Sequence, residues 1–312
     1  MSQIPVSADV QCLSPAGLHR MRYVSWGPQD APDVLLCVHG LTRQGRDFDT
    51  LAQHMVASAA AAGRPLRVVC PDVVGRGLSD WLPAALQGAA YQVPQYAADM
   101  ITLIARLRGE GLQRLHWVGT SMGGLIGMGV AGLPDSPVAS LLLNDVGPVL
   151  EVAALRRIGT YVGTPVQWPT FEAASDGLWA VSAGFGPHTR EQQLTLSRPQ
   201  LRQTHDAPDA PWVSRYDPAI AAAFRNMGDE QVAAGEAALW RSYDAIRCPT
   251  LVLRGAESDL LSAETLQAMT QRGPRAQTAT VDGVGHAPTL VQPEQMAVVE
   301  RFVLGQMGIE QG

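Results

Sequence analysis

The pentapeptide Gly119-Thr120-Ser121-Met122-Gly123 fits the pattern G-x-S-x-G, in which a serine hydroxyl serves as a nucleophile at a sharp turn. An apolar, strand-like run at residues 115–118 precedes it, and a Gly-rich helical pattern follows it. Such a turn forces its central residue into a strained backbone conformation, so the flanking positions must carry little side chain, and both are glycine. The pattern predicts nucleophilic chemistry at Ser121.

A serine hydroxyl is a weak nucleophile near neutral pH and needs a base to remove its proton. Among the seven histidines, His286 lies in a Gly-containing loop between the last predicted strand and the last predicted helix. This loop is expected at the same edge of the sheet as Ser121, so we predict that His286 is the base. His39 begins a turn at His39-Gly40 and is expected to hydrogen-bond its own loop.

An imidazole base needs a carboxylate that fixes its tautomer and stabilises the imidazolium. Asp259 and Asp145 both follow predicted strands at the correct edge. We assign Asp259, because the order Ser, Asp, His along the chain then matches the order for this type of nucleophile turn. Asp145 is interpreted as a loop-bonding residue or a polar group on the substrate side, and Glu257 is a minor third candidate.

The attack of a serine on a carbonyl creates an oxyanion, which preorganised N–H donors must stabilise. Met122, the residue after the nucleophile, supplies one backbone N–H. Leu41, in the loop after the first buried strand, is placed to supply the second. The side chains of Leu41 and Met122 are expected to form an apolar floor.

Apolar strands alternate with helical patterns on both sides of the middle of the chain. Strands are predicted at residues 18–26, 34–38, 67–70, 115–118, 138–143, 250–253 and 276–281, and helices at 48–62, 95–108, 125–131, 263–271 and 294–307. This alternation predicts an α/β fold with a mostly parallel, doubly wound sheet. Ligands bind such sheets at the carboxyl ends of the strands, where the candidate residues lie.

Residues 146–247 break the alternation with short helical stretches separated by Gly and Pro. They hold 10 of the 18 aromatic residues of the chain. We predict a helical cap, or lid, at 146–247, inserted into a core domain formed by 1–145 and 248–312. Its aromatic residues, Trp168 among them, predict a mainly apolar substrate pocket.

Composition excludes several classes of function. All 23 basic residues are Arg, so a Schiff-base lysine, a pyridoxal-phosphate anchor and a phosphate-loop lysine are absent. The net charge of −6 argues against nucleic acid as a partner. The four cysteines form no Cys-x-x-Cys pair, so we expect reduced, structural thiols and no metal site.

Residues 1–10 show no basic patch followed by an apolar stretch, so we expect no secretory signal. The longest uncharged window, residues 115–134, is long enough to raise the question of a membrane span. It contains six Gly, however, and is better interpreted as a strand, a turn and a close-packed helix. We therefore expect a cytoplasmic protein with no membrane partner.

The combination of these motifs resembles the α/β-hydrolase superfamily, and within it the small serine esterases that carry a lid. The motifs are, in the family's order, His39-Gly40, Asp72-x-x-Gly75-x-Gly77-x-Ser79, the turn at Ser121, Asp259 and Gly285-His286. The resemblance covers nearly all of the chain apart from 146–247, which it places as an insertion after strand 6. It implies an eight-stranded sheet, no cofactor, and hydrolysis of a small-molecule ester through an acyl-enzyme.

The substrate class stays open, because this fold hosts many reactions. We expect small to medium apolar esters, with hydroxyacid or polyester oligomers among them. A thioesterase, an acyltransferase or a carbon-carbon bond hydrolase of ring-cleavage products would use the same Ser, His and Asp. The last would need a cation for its carboxylate substrates, and Arg43 is a candidate unless it pairs with Asp47 or Asp49. A ligand-binding protein on a hydrolase scaffold is the non-enzymatic alternative.

Overall fold

In the computed structural model, which describes residues 4–86, 88–225 and 229–309, most strands belong to one sheet. The described strands are β1 (Val6–Ser14), β2 (Gly17–Trp26), β3 (Asp33–Val38), β4 (Leu66–Pro71), β5 (Arg114–Thr120), β6 (Val138–Asn144), β7 (Leu201–Gln203), β8 (Trp212–Ser214), β9 (Thr250–Gly255) and β10 (Gln277–Val281). Eight of them form the main sheet in the order β1-β2-β4-β3-β5-β6-β9-β10, and β7 and β8 form a separate antiparallel pair. Within the main sheet β2 runs antiparallel to β1 and β4, and the remaining neighbours are parallel.

Helices flank the main sheet, and further helices lie within residues 146–247. They are α1 (Asp49–Ala61), α2 (Val93–Gly109), α3 (Met122–Ala131), α4 (Val152–Tyr161), α5 (Phe171–Ala180), α6 (Arg190–Ser197), α7 (Ala222–Arg225), α8 (Asp229–Ala245), α9 (Ala263–Gln271) and α10 (Pro293–Gln306). None of the described helices combines the length and the apolar character needed to cross a bilayer.

The central strands are mainly apolar, which suits strands that are covered on both faces. All six residues of β3 are buried, and alternate residues enter different cores. Leu36 packs in one cluster with Met100 of α2, whereas Leu35 packs in the other with Met55 of α1 and Phe302 of α10. Because successive side chains of a strand point to opposite faces, the two clusters lie on opposite sides of the sheet. The predicted fold class, a mostly parallel, doubly wound, eight-stranded sheet, is confirmed.

Two elements were not predicted from the patterns. The edge strand β1 pairs with β2 along its whole length, with Cys12 opposite His19 and Leu13 opposite Leu18. The pair β7–β8 lies within residues 146–247, where only helices were expected, and it packs Trp212 against Phe171 at a ring-centroid distance of 5.4 Å. The five helices α4 to α8 lie within the same segment. That 146–247 forms a cap domain stays a prediction.

Candidate active site

The turn at Ser121 joins β5 to α3 and holds an uncommon backbone conformation. Ser121 has φ 52° and ψ −116°, a region that non-glycine residues enter only when the surrounding structure enforces it. Its N–H donates to the Asn144 carbonyl at 3.0 Å, and its own carbonyl accepts the N–H groups of Gly124 and Leu125. The strained turn expected from the G-x-S-x-G pattern is therefore present, and hydrogen bonds hold it on both sides.

Glycines around the turn allow backbone to approach backbone. A Cβ atom at Gly119 would lie 2.3 Å from the Gly123 carbonyl oxygen. One at Gly123 would lie 1.9 Å from the Val38 carbonyl oxygen, in the strand next to β5. Both distances are far shorter than van der Waals contact, so α3 can begin against β3 and β5 only because these residues lack side chains.

The substitution Gly123→Ala is expected to lower the free energy of unfolding by about 3 kcal/mol, because the added methyl group overlaps the Val38 carbonyl. Urea unfolding at pH 7.5 measures the change. Gly129→Ala is the matched control in the same helix, where a Cβ would meet no atom within 4 Å. It should be neutral or stabilising by up to about 1 kcal/mol. Equal losses of unfolding free energy in the two variants would contradict the close approach of Gly123 to the Val38 carbonyl.

The structure brings Ser121 and His286 together. His286 Nε2 lies 2.9 Å from Ser121 Oγ, and its Nδ1 lies 2.8 Å from Asp145 Oδ2. The Asp145 carboxylate is fully buried and accepts the Gly255 N–H at 2.8 Å and the Ser258 hydroxyl at 2.7 Å. A hydroxyl, an imidazole and a carboxylate thus form one hydrogen-bonded chain, and the carboxylate is fixed by two further donors.

The carboxylate in this chain is Asp145 and not Asp259, so the assignment of Asp259 was wrong. Asp259 instead pairs with Arg157 at 2.7 Å, and its side chain is 48% exposed. Asp145 does bond a loop, through Gly255 and Ser258, but its interpretation as a substrate-side group was wrong, because its side chain is fully buried. Both residues follow strands that end at the same edge. The difference is that the Asp145 carboxylate accepts the N–H of Gly255, the last residue of β9, whereas the Asp259 carboxylate binds Arg157 on α4.

The two predicted oxyanion donors belong to the two segments that meet at the nucleophile, the start of α3 and the loop after β3. Met122 is the first residue of α3, and the first N–H groups of a helix have no intrahelical acceptor. Leu41 lies in the loop after β3 and lines the same cavity as Ser121. A Cβ atom at Gly40, next to Leu41, would lie 3.8 Å from Ser121 Cβ, so this loop passes beside the nucleophile.

Arg76 is a residue of this region that the sequence patterns did not single out. It is fully buried, and its Nε donates to the Leu41 carbonyl at 2.8 Å. Its Nη1 donates to the Val74 carbonyl at 2.8 Å and to the Tyr96 hydroxyl at 3.0 Å, and its Nη2 lies 3.4 Å from Met122 Sδ. Arg76 therefore ties the loop of Leu41 to the start of α3. The sequence feature that could have pointed to Arg76 is its position inside the motif Asp72-x-x-Gly75-x-Gly77-x-Ser79.

His39 stabilises the same loop through hydrogen bonds of its imidazole to the backbone. It is buried, its Nδ1 donates to the Gly40 carbonyl at 2.7 Å, and its Nε2 accepts the Val73 N–H at 2.9 Å. Burial lowers the pKa of His39 to about 3, so the imidazole is neutral at pH 7. The expectation that His39 bonds its own loop is confirmed.

The depressed pKa of His39 predicts a loss of stability in mild acid. Below pH 6.5 the unfolded chain takes up a proton on this residue, whereas the folded chain resists protonation down to about pH 3. At pH 5 this should cost about 2 kcal/mol relative to pH 7.5. Urea unfolding at both pH values measures this loss. We expect the free energy of unfolding of His39→Gln to fall by about 2 kcal/mol less between pH 7.5 and pH 5 than that of the wild type. Identical pH dependence of both proteins would contradict the buried neutral imidazole.

Ser121 and His286 open into a cavity of about 680 Å³. Much of its wall comes from residues 146–247 and is apolar, with Ile158, Val162, Val166, Trp168, Leu178 and Phe185 among the lining residues. Trp168 and Arg43 both line the cavity, as their predicted substrate-side positions require. Arg43 also forms the ion pair with Asp47 that was the alternative interpretation, with Nε 2.6 Å from Asp47 Oδ2.

One group of potential metal ligands occurs among the residues that the structure describes. Its members are Cys12, His19 and Asp99, all buried, with their ligand atoms within 4.8 Å of one another. His19 Nε2 lies 3.0 Å from Asp99 Oδ2, and Gln95 donates to Asp99 Oδ1 at 2.8 Å. None of the three residues lines the cavity of Ser121.

The family model described as the alpha/beta hydrolase family matches residues 35–299, and the chain belongs to this family. Over 305 residues it is 52% identical to a 3-hydroxybutyrate-oligomer hydrolase from Cupriavidus necator, covering 98% of this chain and 100% of that protein. It is 26% identical over 286 residues to an esterase from Mycobacterium tuberculosis, covering 89% and 84% of the two chains.

Solved structures show the same architecture. An alpha/beta hydrolase from Novosphingobium aromaticivorans superposes with a TM-score of 0.78 at 32% identity, covering 97% of this chain and 100% of that chain. The E-2-(acetamidomethylene)succinate hydrolase superposes with a TM-score of 0.73 at 22% identity, covering 96% and 99%. The second likeness concerns the fold alone.

Proposed function

We propose that the chain hydrolyses carboxylic esters by way of an acyl-enzyme on Ser121. The observation that carries the proposal is the continuous chain from Ser121 Oγ through His286 to Asp145, with contacts of 2.9 and 2.8 Å. These are the distances that a nucleophile, its base and the group that orients the base require. The relatives named as a 3-hydroxybutyrate-oligomer hydrolase and as an esterase support the same reaction.

Acylation begins when His286 Nε2 removes the proton of Ser121 as Oγ attacks the ester carbonyl carbon. The carbonyl oxygen becomes an oxyanion and accepts the backbone N–H groups of Leu41 and Met122. When the tetrahedral intermediate collapses, the bond to the alcohol oxygen breaks, and the imidazolium returns its proton to that oxygen. The alcohol leaves, and the acyl group stays on Ser121.

Deacylation repeats these steps with water as the nucleophile. His286 removes a proton from the water, and the oxygen attacks the acyl carbonyl. Collapse then frees the acid and restores the Ser121 hydroxyl. Throughout, Asp145 keeps the proton of neutral His286 on Nδ1, so that Nε2 faces the serine. The proposed reaction needs no metal or cofactor, because side chains and backbone supply each of these groups.

We propose that the substrates are short oligomers of hydroxyacids such as 3-hydroxybutyrate. The relative from Cupriavidus necator supports this class, because its match extends over both whole chains. The apolar wall of the cavity suits the alkyl side groups and ester units of such oligomers, and a volume of about 680 Å³ is that of a small-molecule site. Residues 146–247 would act as the cap that encloses the oligomer. The cytoplasmic location stays a prediction.

A side-by-side assay tests the proposed function. The substrates are linear dimers and trimers of 3-hydroxybutyrate, a nitrophenyl butyrate, a butyryl thioester and a vinylogous diketone. We expect kcat/KM for the oligomers to exceed that for the thioester and the diketone at least a hundredfold. Faster cleavage of the thioester or the diketone would overturn the substrate class. Binding of the oligomers without any turnover would overturn the enzymatic proposal.

A further inference from the structure

Two arginines line the cavity, and they differ in how far their side chains are exposed. Arg43 binds both carboxylate oxygens of Asp47, at 2.6 and 2.9 Å, and its side chain is only 18% exposed. Arg157, on α4, is 44% exposed. Its Nε and Nη2 both approach a single oxygen, Asp259 Oδ2, at 2.8 and 2.7 Å. Each ion pair engages two nitrogens of a guanidinium that carries five N–H donors, so both arginines keep spare donors, but those of Arg157 are the more exposed.

The two arginines are connected to different parts of the active site. Asp259, the partner of Arg157, directly follows Ser258, whose hydroxyl donates to Asp145 Oδ2 at 2.7 Å. That same oxygen contacts His286 Nδ1, so Arg157 lies on the imidazole side of the cavity. Arg43 follows Leu41 by two residues, so it lies on the side of the oxyanion loop.

The chemistry of a hydroxyacid oligomer distinguishes these two sides. In each ester of such a chain, the alcohol part carries the carboxyl end of the oligomer. His286 must give its proton to the leaving alcohol, so the alcohol part lies on the imidazole side. In a 3-hydroxyacid only two carbon atoms separate the leaving oxygen from the carboxyl carbon. When the last ester is cleaved, the terminal carboxylate therefore lies close to the imidazole.

We propose that Arg157 forms a carboxylate-binding subsite for the free acid end of the oligomer, an inference that rests on the proposed function. Guanidinium and carboxylate match in geometry and form paired, charge-assisted hydrogen bonds. Glu257 and Asp259 also line the cavity, so the subsite attracts the acid through directional bonds from Arg157 and not through a net positive field. Asp259 holds the guanidinium in place and at the same time weakens its attraction for a further anion. The terminal hydroxyacid unit is the leaving group, so the enzyme shortens oligomers from their carboxyl end.

The test compares the free acid of the 3-hydroxybutyrate dimer with its methyl ester, which differs in the charge of the terminal group. For the wild type we expect kcat/KM for the free acid to exceed that for cleavage of the internal bond of the methyl ester about tenfold or more. Arg157→Gln should lower this ratio to about one, chiefly by raising KM for the free acid about 10- to 100-fold. Asp259→Asn should lower KM for the free acid, because it removes the anion that competes for Arg157.

Arg156→Gln is the matched control, because Arg156 is an exposed neighbour on the same helix and does not line the cavity. It should leave the ratio unchanged. A wild-type ratio of one, or an unchanged ratio in Arg157→Gln, would overturn the subsite while the proposed function stands. A fall of the ratio in Arg43→Gln with none in Arg157→Gln would overturn it as well, by placing the carboxylate on the oxyanion side.

A binding measurement separates the failure of the subsite from the failure of the proposed function. The probe is the free dimer, titrated by calorimetry into Ser121→Ala, which cannot cleave it. Adding Arg157→Gln to this variant should weaken binding about 10- to 100-fold, whereas adding Arg156→Gln should not. Equal binding by all three proteins would overturn the subsite even if the wild type hydrolysed no oligomer.

Discussion

Replacing Ser121 by alanine lowers kcat for ester hydrolysis by a factor on the order of 10⁴ to 10⁶. Without the hydroxyl no acyl-enzyme forms, and His286 loses the group from which it removes a proton. The measurement is the release of 3-hydroxybutyrate from its dimer at pH 7.5. The fold should persist, since the substitution keeps the backbone of the turn and removes only a hydroxyl.

Ser182→Ala is the control for this prediction. Ser182 lines the same cavity, but its hydroxyl donates to the Leu178 carbonyl at 2.8 Å and not to His286. We expect kcat to change less than about threefold, as for a substitution outside the reacting groups. Retention of more than a hundredth of the wild-type kcat by Ser121→Ala would exclude Ser121 as the nucleophile.

Asp145→Asn is expected to lower kcat by about 10⁴, because an amide at this position favours the wrong tautomer of His286 and cannot stabilise the imidazolium. Asp259→Asn should lower kcat less than tenfold, since the Asp259 carboxylate contacts Arg157 and not the imidazole. The methyl ester of the dimer is the appropriate substrate, because it lacks the terminal charge that Arg157 would bind. A larger loss of kcat in Asp259→Asn than in Asp145→Asn would show that Asp259, and not Asp145, orients the imidazole of His286.

The nucleophile and the base could be predicted because their signals are local. The turn at Ser121 needs glycine at positions that are adjacent in sequence, and the clashes at Gly119 and Gly123 explain why. The position of His286 followed from a single rule, that loops after parallel strands meet at one edge of the sheet. Neither prediction depended on the orientation of a distant side chain.

The carboxylate could not be predicted because strand order alone does not fix where a side chain points. Asp145 and Asp259 follow β6 and β9, which are neighbours in the sheet. The choice is made by contacts across more than a hundred residues, namely the bonds of Asp145 to Leu253 and Gly255. No local pattern marks these bonds. The rule on chain order is satisfied by either residue, so it could not discriminate between them.

Three other features were not predicted from the sequence, each for its own physical reason. The strand β1 is an edge strand with one exposed row of residues, so its alternation of Val6, Ala8 and Val10 with polar residues is weaker than a buried apolar run. The pair β7–β8 has strands of only three residues, too short to show a period. Arg76 stands at a variable position of a motif, and its role depends on complete burial.

Covalent labelling tests the central claim most directly. The protein is treated with an alkyl fluorophosphonate, which reacts with an activated serine, and the labelled peptide is identified by mass spectrometry. We predict one label per chain, on Ser121, with His286→Ala and Asp145→Asn labelled far more slowly and Asp259→Asn labelled readily. An active protein that carries no label on Ser121, or is labelled on another serine, would contradict the account.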